Sequence, residues 1–131
     1  MSQAASQAAA FYREVVALGR VFTVLEAGNF IVFPLGQIEV VPFWSSRSRV
    51  ERIQKEHPKY RAITCDEISF QKFLQETLAD LERESIHVGV NWSGKRLTGY
   101  DLSIPDLRKN LEYYQGRMTD TPSVERRPTS R

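Results

Sequence analysis

The chain has 131 residues, 41% of them hydrophobic and 26% charged, enough for one well-formed core and too short for two typical domains. Seven glycines and six prolines lie near globular averages and exclude collagen-like, low-complexity and wholly disordered chains. Apolar runs such as Phe30 to Phe33 fall far short of the roughly 20 residues of a membrane span. The first ten residues lack the basic start of a signal peptide. A single cysteine, Cys65, forms no internal disulfide and suits a reducing, cytoplasmic compartment.

The net charge of +2 comes from the C-terminal end. Residues 1–116 hold 14 Lys and Arg against 14 Asp and Glu, whereas 117–131 hold four Arg against Asp120 and Glu125. A nucleic-acid footprint belongs on the folded surface, so this distribution argues against nucleic acid. Arg47–Arg61 is rich in base and Asp66–Glu84 in acid. Either two solvated helix faces attract one another or a polarised surface steers a charged partner.

In chain order, Ala8, Phe11, Val15 and Leu18 predict a helix from about Ser6 to Leu18, ended by Gly19. Arg20–Glu26 reads as a strand, Ala27-Gly28-Asn29 as a turn, and Phe30–Phe33 as its antiparallel partner. Phe33-Pro34-Leu35-Gly36 reads as a second turn, and Ile38–Phe43 as a third strand of the same meander. Ser45 or Ser46 caps a second helix that buries Val50 and Ile53 and stops before Pro58. Arg61–Cys65 is a short strand. Phe70, Phe73, Leu74, Leu78 and Leu81 stripe a third helix capped by Ser69 or Asp66. Ile86–Trp92 alternates as a strand, Ser93–Arg96 is a hairpin loop, and Leu97–Asp101 pairs back. Ser103 caps a last helix that carries Leu107, Leu111 and Tyr114 and is ended by Gly116. The order is α-β-β-β-α-β-α-β-β-α, an α+β fold with a mixed, mostly antiparallel sheet and helices on one face. Residues 1–116 form the single domain, and 117–131 a disordered basic tail.

Several chemistries have no residues to carry them. One cysteine and the distant His57 and His87 make no zinc site. Phosphate-loop, dinucleotide and hydrolase-elbow motifs do not occur. No metal or cofactor is expected, and the reading leans away from an enzyme. Cys65, set in an apolar strand, reads as an inert core residue.

Two aromatic-polar segments remain. In Pro42–Arg49, the helix start with Ser45, Ser46, Arg47 and Arg49 offers free N–H groups, hydroxyls and guanidiniums to a phosphate or carboxylate; alternatively, serine only caps while Phe43 and Trp44 anchor the helix. In His87–Gly94, Gly89 leaves a gap between His87 and Asn91 that a ligand, or Tyr100 from the opposite strand, would fill.

These stretches also carry a resemblance. Phe11-Tyr12 with Gly19-Arg20-Val21, then PFWSSRSRVERI (Pro42–Ile53), FQKFLQETLADLERE (Phe70–Glu84) and VGVNWSGKRLTGYD (Val88–Asp101) resemble an uncharacterised bacterial family known as domain of unknown function twenty-seven fifty. The resemblance implies a small cytoplasmic bacterial domain and transfers no activity.

The expected function is non-enzymatic binding, of a protein partner or a small anionic ligand, with no membrane. The first alternative is a binding domain or enzyme for a phosphorylated or carboxylated small molecule at Ser45–Arg49; the second is weak nucleic-acid binding. The candidate ligand-binding residues are Trp44, Ser45, Ser46, Arg47, Arg49, Asn91, Trp92 and Ser93. The two segments are expected to line one depression, with both tryptophans as its apolar wall.

Overall fold

The computed structural model describes residues 2–126, with side chains as far as Arg117. Helix α1 (Gln3–Leu18) starts earlier than its apolar stripe because the Ser2 hydroxyl accepts the Ala5 N–H, and it ends where Gly19 takes φ 76°. A left-handed residue there closes the last turn without a Cβ clash. Strand β1 (Arg20–Glu26) turns through Ala27 and Gly28 into β2 (Asn29–Phe30).

The expected Phe30–Phe33 strand is divided, because its second half pairs elsewhere. Phe33–Leu35 forms β3, which turns at Gly36 into β4 (Ile38–Phe43). The second turn therefore lies after Leu35 rather than within Phe33–Gly36. Helix α2 spans Arg47–Glu56, and Pro58–Tyr60 makes a 3-10 turn behind it. Strand β5 covers Thr64–Ser69, further along than Arg61–Cys65. Asp66 lies within it, so Ser69 alone caps the next helix, its hydroxyl accepting the Lys72 N–H.

Helix α3 runs through Phe70–Lys72, a π-helical turn over Phe73–Thr77 and Leu78–Arg83. Strands β6 (Ile86–Ser93) and β7 (Thr98–Leu102) lead into α4 (Ile104–Arg126). Ser103 caps α4 by accepting the Asp106 N–H. The helix does not end at Gly116 but continues to Arg126. The remainder of the expected tail, 127–131, lies outside the described residues.

The class is α+β and, with the second strand divided into β2 and β3, the element order is the expected one, but the strands fall into two sheets. One is ordered β2-β1-β5 and the other β3-β4-β6-β7. They touch at one bridge, where Phe22 and Trp44 exchange backbone hydrogen bonds of 2.8 and 2.7 Å. Within the second sheet β4 and β6 are parallel, with Phe43 opposite Val90. Pro42 is tolerated in β4 because β3 pairs only as far as Val40, so no ladder bond is lost on that side. Its carbonyl accepts the buried Thr23 hydroxyl at 2.8 Å.

Alternation along β4 supplies two cores. Val41 and Phe43 join α1, α3 and α4 around Phe11, Phe73, Leu107 and Leu111, whereas Val40 and Trp44 join Phe22, Trp92 and the Val50 and Ile53 stripe of α2. The helices are thus not all on one face, since α2 packs on the second core. Because both faces of β1 are covered, Val21 to Val24 are all buried.

Candidate functional site

Two parallel neighbouring strands leave their sheet side by side, and this brings the two aromatic-polar segments together. Beyond the Phe43–Val90 pair, the Trp44 indole N–H donates to the Trp92 carbonyl (2.8 Å), and the Ser45 backbone N–H donates to Asn91 Oδ1 (2.9 Å). The ends of parallel strands are common places for clefts.

The strict alternation expected for Ile86–Trp92 breaks at Asn91. Val90 pairs with Tyr100 but Ser93 with Thr98, so β6 holds one extra residue there, and Asn91 takes φ 51°. Asparagine is among the few residues that enter this left-handed region readily. The bulge turns the Trp92 ring onto the face of Gly89. A Cβ on Gly89 would lie 2.5 Å from Trp92 Cε2, and one on Gly99 2.7 Å from Cδ1. The ring is locked there by its N–H, which donates to the Tyr100 carbonyl at 2.9 Å. The gap at Gly89 is therefore closed by Trp92; Tyr100 stands opposite Val90 and is exposed.

Beneath the junction lies a polar network. Asn91 Nδ2 donates to the Gln7 carbonyl and to Ser45 Oγ, both at 3.1 Å. The single hydroxyl proton of Ser45 goes to Glu14 Oε1, its nearer acceptor at 2.6 Å. Glu14 Oε2 lies 3.7 Å from Arg49, whose guanidinium also donates to the Gln7 side chain. Ser45 and Asn91 are 0% and 1% exposed, a burial that polar groups accept only when bonded in this way.

Above this floor, between α1 and α2, opens a cavity of about 620 Å³. Gln3, Gln7 and Glu14 line it from α1, with Ser46, Ser48, Arg49, Arg52, Ile53 and Glu56 from the start and side of α2, and Trp44, Trp92, Ser93 and Gly94 below. Two guanidiniums face two carboxylates, so the walls are polar and balanced in charge.

The candidate residues thus separate. Trp44, Ser46, Arg49, Trp92 and Ser93 line the cavity, although both tryptophans are core residues showing only an edge to it. Ser45 and Asn91 are its buried support rather than contact groups. Ser46 is the helix cap, accepting the Arg49 N–H. Arg47 lies elsewhere, 3.5 Å from Glu67 with its guanidinium 5.4 Å over the Phe22 ring. The sequence reading missed Gln7, Glu14 and Arg52. A signal existed: Gln3, Gln7 and Glu14 share one face of α1 at helical spacing, as do Arg49, Arg52 and Glu56 on α2.

His87 has a carboxylate beside it. Its Nδ1 lies 2.9 Å from Asp101 Oδ2 across the β6–β7 pair. Burial pushes the Cys65 thiol up, with nearby Arg47 pulling partly back. Among the described residues no three His, Cys, Asp or Glu side chains converge to hold a metal, and no helix is long and apolar enough to cross a membrane.

A family described as proteins of unknown function (DUF2750) matches residues 8–111, a span that holds α1 from Ala8, every strand and both aromatic-polar segments. The chain belongs to this family. No curated protein matches it. In this DUF2750 chain the residues below the cavity, Ser45, Asn91 and Trp92, all lie inside the matched span, and so do Glu14, Arg49 and Arg52 on its walls.

Proposed function

We propose that the chain is a binding domain without turnover of its own, acting in a reducing, cytoplasmic compartment. It takes a small polar molecule bearing both an acidic and a basic group in the cavity between α1 and α2. The observation that carries this reading is the division between floor and walls. The floor's polar groups are consumed by one another, and Ser46 and Ser48 bond each other at the start of α2, whereas the walls offer Arg52, Glu56 and Ser93 to a guest. A volume of about 620 Å³ falls in the range of small-molecule sites. The start of α2 favours an anionic group beside Ser46 and Ser48. Glu56, on the opposite side of the cavity lining from the paired Glu14, disfavours a second anion and suits an ammonium. A free amino acid or the end of a short peptide has this combination, which a simple phosphate or monocarboxylate lacks.

Calorimetric titration of the full chain with amino acids, dipeptides, inorganic phosphate and acetate tests the reading. Zwitterions should bind, be recovered unchanged, and lose at least tenfold in affinity, about 1.4 kcal/mol, in Arg52→Ala. Phosphate or acetate binding as tightly as every zwitterion, or an indifferent Arg52→Ala, would overturn it.

A further inference from the structure

A second cavity, of about 360 Å³, shares only Trp92 with the first. Three segments distant in sequence form it: strand β3, the turn at His57–Tyr60, and the β6–β7 loop. Their arrangement is held from within. The His57 ring nitrogen Nε2 lies 3.0 Å from the Gly94 carbonyl, which ties the loop to the end of α2. The same carbonyl accepts the Leu97 N–H at 3.1 Å, with Gly94 and Leu97 both at positive φ. Phe33 packs edge-on against Trp92 and Tyr60, with ring centroids 5.6 and 6.2 Å apart. One wall is thus aromatic and fixed.

The charge here is one-sided. Lys59, Lys95 and Arg96 line the cavity together with His57, and no carboxylate does. Among the described residues none of these three cations has an acidic partner within 4.0 Å. Lys59 instead rests its ammonium 5.1 Å over the Tyr60 ring. In the first cavity, by contrast, Arg49 is already paired with Glu14.

We propose that this cavity is a second binding site and that its ligand is a mononucleotide. Three cations without acidic neighbours suit a dianionic phosphate better than a single carboxylate. The half-buried Phe33 and Tyr60 rings, beside the buried Trp92, offer apolar surface to a flat base, and Thr98, also on the lining, offers a hydroxyl partner for the sugar. The volume suits one nucleotide and not a chain of them. The proposal does not rest on the α1–α2 cavity or on any ligand there.

Titration of the full chain with AMP, adenosine, inorganic phosphate and a single-stranded oligonucleotide lacking a terminal phosphate tests the assignment. AMP should bind at least tenfold tighter than adenosine or phosphate, because base and phosphate are held together. Lys95→Ala/Arg96→Ala, both exposed positions, should weaken AMP at least tenfold with circular dichroism and melting unchanged. Tyr60→Ala should weaken AMP more than it weakens inorganic phosphate. AMP binding no tighter than phosphate, an indifferent double variant, or an oligonucleotide bound more tightly than AMP would each overturn the proposal.

Discussion

The hexapeptide Trp44–Arg49 contributes to two unlike regions. On its inner side, Trp44 and Ser45 lie in the cavity floor, nearly or fully buried and bonded to Trp92, Asn91 and Glu14. On its outer side, Arg47 joins Arg20 around Glu67 and over the Phe22 ring, with about half of the Arg47 side chain in solvent. Both regions carry charged and polar side chains in contact, yet burial makes their energetic weight very different. A buried polar group that loses its partner has no water to replace it, whereas an exposed ion pair is resolvated almost without cost. The floor should therefore carry stability, and the outer cluster should carry almost none.

The largest test is Trp44→Ala. It empties a fully packed site and leaves the Trp92 carbonyl without its donor, so a loss of about 3–5 kcal/mol is expected in urea unfolding. A loss under 1 kcal/mol would place Trp44 in the same class as the outer cluster. Asn91→Ala comes next. It removes the acceptor of the buried Ser45 N–H and the donor to the Gln7 carbonyl, and it forces alanine to φ 51°. About 2–4 kcal/mol should be lost. Asn91→Gly deletes the same hydrogen bonds without the backbone penalty, so it should lose about 1 kcal/mol less. Equal losses would mean that the bulge is not under backbone strain.

Gly89→Ala sharpens the comparison from inside the sheet. Its Cβ would meet the Trp92 ring at 2.5 Å, and that ring cannot swing away without breaking its bond to the Tyr100 carbonyl. Overpacking of this kind costs about 1–3 kcal/mol, and the near-ultraviolet circular dichroism of Trp92 should change with it. An unchanged spectrum would show the ring to be free.

What could be read beforehand follows from range. Strands β1 and β4, the stripes of the helices and the serine caps depend on neighbours within a few residues, and the sequence pattern specified them. The pairing of β4 with β6 depends on residues almost fifty positions apart, and alternating apolar residues fit a parallel or an antiparallel neighbour equally well. The adjacency of the two tryptophan segments was legible only as two similar strand ends. That Trp92 shares a face with Gly89 was hidden, because the inserted residue at Asn91 reverses the parity of everything after it. The separation of Arg47 from Arg49 was more accessible. Residues two positions apart on a helix point about 200° away from one another, so the Arg47 and Arg49 side chains leave α2 on opposite sides.

The smallest effect belongs to Arg47→Ala, and it carries a chemical signature of its own. The ion pair with Glu67 and the contact over Phe22 are largely in solvent, so the loss at neutral pH should be no more than about 1 kcal/mol. Arg47 also bears on Cys65. Burial raises this thiol above its ordinary range, and Arg47 is the positive group that partly offsets the rise. A folded-state thiol that ionises later than the unfolded one contributes stability that is complete below the unfolded pKa. That contribution is lost as pH rises through and beyond it, because the native state then holds the extra proton. Stability should accordingly fall above about pH 8.5, the usual thiol value. Tyr12, raised by burial despite a hydrogen bond from Asn110, should deepen the fall near pH 10. Removing Arg47 widens the Cys65 gap, so Arg47→Ala should lose more stability between pH 7 and pH 9.5 than the parent does. Its thiol should also react more slowly with a disulfide reagent at pH 8. In an Arg47→Ala/Cys65→Ser double variant the extra alkaline loss should vanish; if it persists, Arg47 acts on some group other than Cys65.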